Sequence, residues 1–241
     1  MPSPLHNRRL FPPIRTVPAV HFTGSAAQFL NIADNPALSM GPGVRMTIVA
    51  WVAPDSPGTS AYPAGKYTGT LTTSEYTLIQ LAQGTFRFQV SSGAATASQD
   101  SPYPVRPGWS FVVGIYDGAT LDAQTNPWTP FPVAYATDMP DTTGNFRLGT
   151  RGDGAVAYTG AMAQVGVAKQ ALPMSDLIEL WNNGRGKRFG ELSAALAAKF
   201  VAYWDLDDPG GSGATWLDKA GANHLTAGLT TAAPVQVTMR R

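Results

Sequence analysis

Carboxylates come first among the residues that could do chemistry, because the chain is short of other reactive groups. It has three glutamates, Glu75, Glu179 and Glu191, and one dense acidic group, Asp205, Asp207 and Asp208. A retaining glycosidase needs two carboxyl groups about 5 Å apart, and an inverting one needs a wider pair. Asp205 and Asp207 would share one face of a strand, yet their spacing also suits the polar end of a strand entering a turn. His6, His21 and His224 are scattered, without the His-x-x-x-His or His-x-x-Glu spacing that zinc requires. There is no Gly-x-Ser-x-Gly elbow, no phosphate-cradling Gly-x-x-x-x-Gly-Lys, and no cysteine. No catalytic residue is expected.

Binding chemistry is better represented. Calcium takes oxygen ligands from loops, and Asp117, Asp153 and Asp218, each beside or near a glycine, are the candidate ligands. Asp117-Gly118 is equally suited to a hairpin turn, and Arg151-Gly152-Asp153 spells the integrin tripeptide. Sugar rings present apolar faces that pack on aromatic side chains. Trp128, in the loop-like run from Gln124 to Phe131, is the first candidate for such a contact, followed by Tyr62, Tyr67 and Tyr103 in Pro- and Gly-bearing connections. Trp51, Trp109 and Trp204 lie within apolar runs and are expected in the core.

Strands must position these residues. Only 14% of the chain is charged, while 25 glycines and 20 prolines punctuate short apolar runs, the composition of many strands joined by tight turns. From Tyr158 to Gly186, small and apolar residues alternate between Ala161 and Val167. Leu172-Pro173-Met174-Ser175 then breaks the alternation, and Leu177, Ile178 and Trp181 recur at helical spacing. Ser175 or Asp176 is expected to cap that helix, and Asn183-Gly184 to end it in a left-handed residue. Gly190 to Lys199 reads as a second short helix, and Phe200 to Leu206 as a strand.

The run Tyr158, Gly160, Met162, Val165, Val167, Ala171, Leu172, Leu177, Ile178, Leu180, Trp181, Asn183, Gly184 resembles the laminin-G-like jelly roll of the concanavalin A-like lectin/glucanase superfamily. Three further segments match in order. His21 to Gly24 with Phe29 to Ile32 resembles the family's opening hairpin, Met46 to Val52 its "f-T-i-s-a-W-v" strand, and Trp109 to Gly118 its "W-h-h-v-a-g-v-y-D-G" strand and turn. The resemblance implies an all-β, two-sheet antiparallel jelly-roll sandwich with one or two short helices. Glucanases of this superfamily carry Glu-x-Asp-x-x-Glu on one strand face, and no glutamate here lies in such a motif. Some members bind calcium through loop aspartates. The acidic residue of the pattern is missing from the Tyr158 strand, where Gln164 stands among apolar neighbours.

The ends of the chain add two expectations. Residues 1–18 contain Pro2, Pro4, Pro12, Pro13 and Pro18, which oppose helix and ladder bonding, and no acidic residue precedes Asp34. This segment is expected to be an extended docking arm, with Arg8, Arg9 and Arg15 for carboxylates and Leu10, Phe11 and Ile14 as apolar anchors. It lacks the apolar core of a secretory signal. Residues 19–241 are expected to form one sandwich. The "ayWdLdd" and "D-x-a-G-x-N-x-L-t" phrases between Ala202 and Thr226 resemble a segment that often opens laminin-G-like domains, and 190–241 is expected to complete the same sandwich.

Similar domains occur in bacteriophage structural proteins and bacterial surface proteins. The resemblance therefore implies a non-enzymatic protein displayed on a virion, as a capsid decoration or a head- or tail-associated component, docked by its arm and homo-oligomeric. The alternative is a lectin module for cell-surface glycans, at a bacterial surface or outside the cell; a glycoside hydrolase ranks third. A formal charge of +1 argues against nucleic acid as a partner, and no apolar run is long enough to span a membrane.

Overall fold

The computed structural model describes residues 16–105, 108–126, 130–208, 214–228 and 235–240. Along the chain the strands are β1 Thr16–Thr23, β2 Leu30–Ile32, β3 Met46–Pro54, β4 Ala61–Lys66, β5 Tyr76–Gln80, β6 Phe86–Ser91, β7 Thr96–Asp100 and β8 Ser110–Tyr116. They continue with β9 Thr120–Thr125, β10 Val133–Ala134, β11 Phe146–Leu148, β12 Thr159–Ala168, β13 Phe200–Trp204, β14 Thr215–Trp216, β15 Leu225–Ala227 and β16 Val235–Arg240. Two helices, α1 Met174–Trp181 and α2 Ala194–Ala197, lie between β12 and β13.

All the paired strands run antiparallel in two sheets. The first has the order β10-β9-β8-β3-β12-β1-β16, with β13 also on β12, and the second β14-β15-β2-β11-β4-β5-β6-β7. The main core lies between them and takes alternate residues of each strand, such as Ile48, Ala50 and Val52 from β3 and Phe86, Phe88 and Val90 from β6. The other face of β3 is buried too. Val49, Trp51 and Ala53 pack with Phe111, Leu177, Leu180 and Leu196 beneath the helices, so α1 and α2 roof the outer face of the first sheet. Trp204 is in the main core, Trp51 is under the roof, and Trp109 is only half-buried against that second cluster.

Several sequence expectations are corrected. Residues Thr16 to Pro18 belong to β1, where Pro18 stands opposite Thr238, and are not part of an arm. His21 to Gly24 and Phe29 to Ile32 do not form a hairpin. β1 pairs with β12 and β16 in one sheet, β2 with β11 and β15 in the other, and the chain crosses the sandwich between them. The alternation in β12 breaks at Gln164, whose φ of 49° places it in the left-handed region. Met162 points to the main core before it and Val165 and Val167 after it, as an inserted residue requires. The first half of β12 accordingly pairs with β1 and the second with β13.

Neither Ser175 nor Asp176 caps α1; Pro173 takes the N-cap position without a side-chain bond, and Asp176 pairs with Lys199 at 2.5 Å. The left-handed exit begins one residue early, at Asn182 (φ 47°), and continues through Asn183 and Gly184. The second helix shrinks to Ala194–Ala197, where Ser193 accepts from the Leu196 amide.

Candidate functional site

The helices roof one outer face of the sandwich, and among the described residues no α-helix lies over the outer face of the second sheet. Alternation fixes what that face offers: with Phe86, Phe88 and Val90 inward, Arg87 and Gln89 must point out. Register aligns a polar row across the sheet, Thr226 beside Asn31, then Arg147, Gly65, Thr77, Gln89 and Ser98. The row dips at Gly65, because a Cβ there would stand 2.6 Å from the Thr77 Cα. Arg147 lies over the Phe29 ring at 4.3 Å and donates to Asn31 Oδ1 at 3.2 Å.

Two of the predicted aromatics meet beside this row. The Tyr62 and Tyr67 rings stack with centroids 5.9 Å apart and planes 18° from parallel. The loop after β11 closes over them. Gly152 donates its amide to the Tyr67 carbonyl at 2.8 Å, an approach that requires glycine because a Cβ would lie 2.9 Å from that oxygen. This contact sets Arg151 over the Tyr62 ring at 5.5 Å.

Two of the three arginines on this face are matched by carboxylates, while among the described residues Arg147 has only Asn31 and the Phe29 ring. Arg151 holds Asp153 through Nε–Oδ1 at 2.8 Å and Nη2–Oδ2 at 2.7 Å, and Arg87 holds Asp100 through Nε–Oδ1 at 2.6 Å and Nη2–Oδ2 at 3.1 Å. These fork-to-fork bonds fix the guanidinium planes. The Arg151 bond is the main cause that holds the Asp153 carboxyl below its usual range, and the Asp100 bond raises the Arg87 guanidinium. Burial, then Tyr62, pushes the Tyr67 hydroxyl up against the opposing pull of Gln89 and Arg151, so it stays a neutral donor. The integrin-like tripeptide therefore spends its two charges on each other.

The other candidates lie elsewhere. Tyr103 is 53% exposed in the turn after β7 and makes no ring contact with the pair. Trp128 lies outside the described residues, as do Arg8, Arg9, Leu10, Phe11, Ile14 and Arg15 of the arm.

The calcium candidates are separated, and each has structural work. Burial raises the Asp117 carboxyl, but bonds from Ala119 and Thr120 outweigh it and hold the group below its usual range, as the turn from β8 to β9 requires. Asp153 is held by Arg151. Asp218 accepts from the amides of Tyr203, Ala220 and Asn223. Among the described residues no cluster of three acidic or histidine side chains could hold a metal.

The carboxylates weighed for hydrolysis are engaged as well. Glu75 is fully buried against Lys66, Glu179 bonds Lys187 and Ser193, and Glu191 accepts from the Arg188 amide. Asp207 pairs with Arg188 and Lys219, both at 3.3 Å, and Asp208 accepts from the Leu217 amide. Asp205 is 7% exposed and accepts from the Phe189 amide. Tyr62 and Tyr67 are candidates from the sequence, and the structure places Arg87, Gln89, Asp100 and Arg147, which the sequence did not single out, on the same sheet. The polar alternation of β6 carried the signal for Arg87 and Gln89.

A family model described as the concanavalin A-like lectin/glucanases superfamily matches residues 25–177, and the chain belongs to that family. Similar solved structures include a candidate carbohydrate-binding protein from Bacteroides ovatus (TM-score 0.64, 16% identity, 92% of this chain and 62% of that one). They also include a heptameric SAP-like pentraxin from Limulus polyphemus (0.56, 14%, 89% and 95%). A third is the CBM40 module of a Ruminococcus gnavus sialidase, solved with α2,3-sialyllactose (0.52, 15%, 68% and 96%). These identities speak to the fold alone, and the chain spans 62% of the length of the Bacteroides protein. No curated protein matches the chain. Among the described residues no helix is long and apolar enough to cross a membrane.

Proposed function

We propose that this protein is a non-enzymatic glycan-binding module whose contact surface is the open face of the second sheet around Tyr62, Tyr67, Arg151, Arg87 and Gln89. The observation that carries this reading is a stacked tyrosine pair flanked by two fully paired arginine–aspartate couples on the unroofed face. The partly exposed Tyr62 ring, backed by the buried Tyr67, offers apolar surface to a sugar's C–H groups, and immobilised guanidinium, carboxylate and amide groups offer hydrogen bonds to vicinal hydroxyls at low entropic cost. Around the tyrosines two arginines are matched by two aspartates, which suits a hydroxyl-rich glycan, and Arg147 further along the row adds one positive charge. Tyr62→Ala is expected to weaken glycan binding by about tenfold while leaving thermal stability within about 1 kcal/mol. Glycan arrays followed by calorimetry read the first effect and denaturation the second; a blank array, or undiminished binding by the variant, counts against the site.

A second reading concerns how such a module is carried. Residues 1–15, with Arg8, Arg9 and Arg15, lead straight into β1, and a cationic proline-rich segment there favours docking of the sandwich to a larger protein assembly, such as the capsid or tail of a bacteriophage. Display in many copies would multiply weak glycan contacts. Deleting residues 1–15 leaves β1 intact. The deletion is expected to keep the folded sandwich and lose incorporation into the assembly, measured by co-sedimentation, and normal incorporation would rule the arm out.

A further inference from the structure

We propose that a pocket on the roofed side of the sandwich, away from the glycan-binding face, binds a primary alkylammonium group. It opens between the outer faces of β8 and β9 and the start of α1, with a volume of about 300 Å³, at the small end of ligand sites. Ile115, Leu172, Met174 and Leu177 make an apolar wall. Its polar groups are Asp122 and Gln124 on β9, with Asp117 and Thr120 nearer the turn. No lysine, arginine or histidine lines it among the described residues.

The polar groups are unbalanced in one direction. Gln124 is 3% exposed, and its Nε2 donates to Asp122 Oδ2 at 2.7 Å. That bond fixes the amide, since turning it over would set oxygen against carboxylate. Gln124 Oε1 is then left buried with no hydrogen-bond partner among the described residues. Asp122, 6% exposed, has one further bond among the described residues, from the Phe131 amide to Oδ1 at 3.1 Å. A buried carbonyl without a donor costs about 1–3 kcal/mol, and a buried carboxylate without a cation costs more. One ligand chemistry answers both, an N–H-bearing cation on a short aliphatic body. A quaternary ammonium has no N–H for Gln124, an alcohol lacks the charge for Asp122, and an anion would be repelled. Thus the pocket prefers a primary ammonium, whether a free amine or a lysyl side chain of a partner.

Amide chemical shifts of Ile115, Asp122, Gln124 and Leu177 in the labelled full-length protein would be followed during separate titrations. The probes are n-pentylammonium for a free amine, Nα-acetyl-lysine methylamide for a peptide-borne one, pentyltrimethylammonium, n-pentanol and pentanoate. One or both primary ammonium probes are expected to bind at least about tenfold more tightly than the other three, and the better of the two identifies the source. Asp122→Asn and Gln124→Leu should each remove that preference while the remaining amide spectrum is retained. Should Asp122→Asn fail to fold, Gln124→Leu decides the matter. The proposal falls if no probe shifts these amides, if pentanol or pentyltrimethylammonium binds as well as the primary amines, or if folded Gln124→Leu keeps the full preference.

Discussion

Lys66→Met is expected to destabilise the protein by about 3–5 kcal/mol, because it strands a buried carboxylate. Lys66 and Glu75 are both fully buried, with Nζ 2.5 Å from Oε1. The ammonium also reaches Ser39 Oγ at 2.6 Å, the Thr142 carbonyl at 2.5 Å and Asp34 at 2.8 Å. Glu75 in turn accepts from the Thr142 amide and hydroxyl, both at 2.9 Å, and from the Met40 amide at 2.7 Å. Six contacts from four residues of two loop segments, Asp34, Ser39 and Met40 in one and Thr142 in the other, thus converge on one ion pair. Removing the cation leaves a charge that neither water nor a neighbour can neutralise.

Lys66→Met with Glu75→Gln should recover part of the loss, since the amide oxygen can still take the Thr142 amide and the only charge left without its partner, Asp34, is 37% exposed. Recovery stays incomplete because the amide nitrogen cannot accept from Met40. Denaturant melts of the two single variants and the double variant measure this, and strict additivity would show that the two residues do not act as a pair. The network also bears on the site. Lys66 directly precedes Tyr67, so loosening β4 here should reduce glycan binding as well as stability.

This ion pair marks what the sequence could and could not disclose. The sandwich was legible because strands such as β6 place apolar residues at every second position, and because the strand–helix unit from Tyr158 to Gly186 has a period change that few arrangements satisfy. Tyr62 and Tyr67 were legible as aromatics beside prolines and glycines. Their stacking was not, because it depends on a loop some 85 residues away whose Gly152 bonds Tyr67. Lys66 and Glu75 are nine residues apart and carry no pattern; burial comes from segments 34–40 and 139–142 folding over them. Gln124 read as the start of a loop because Thr125-Asn126-Pro127 follows it, although it lies within β9 and lines a pocket. What tertiary contact creates, local pattern does not encode.

Asp205→Asn is expected to stabilise the protein at neutral pH and to flatten its pH dependence between about pH 4 and 6. Burial, the largest cause, pushes the Asp205 carboxyl up from 3.8 to about 6, against the lowering by the Phe189 amide, with Asp207 adding to the rise. The folded state thus holds this proton more tightly than the unfolded chain. Between 3.8 and about 6 the unfolded chain gives up its proton first, so stability falls as pH rises through that window and stays lower above it. The shift corresponds to a few kcal/mol at most, at about 1.4 kcal/mol per unit.

Asparagine keeps a carbonyl to accept from Phe189 and carries no charge to bury, so the variant should gain on the order of 2 kcal/mol at pH 7.5 and nothing at pH 3.5. Other groups slope the opposite way. Asp153 and Glu179 are held below their usual range by Arg151 and by the Ser193 amide respectively, and their contributions are lost as pH falls. The decisive quantity is therefore the difference between parent and variant melts across pH 3.5 to 7.5. A difference that stays flat or shrinks with rising pH would show that Asp205 is not a buried, proton-retaining carboxyl. A raised carboxyl often marks an acid catalyst; here Asp205 is enclosed and bonded to backbone, its neighbour Asp207 is held by Arg188 and Lys219, and the raised value reflects burial at a structural corner.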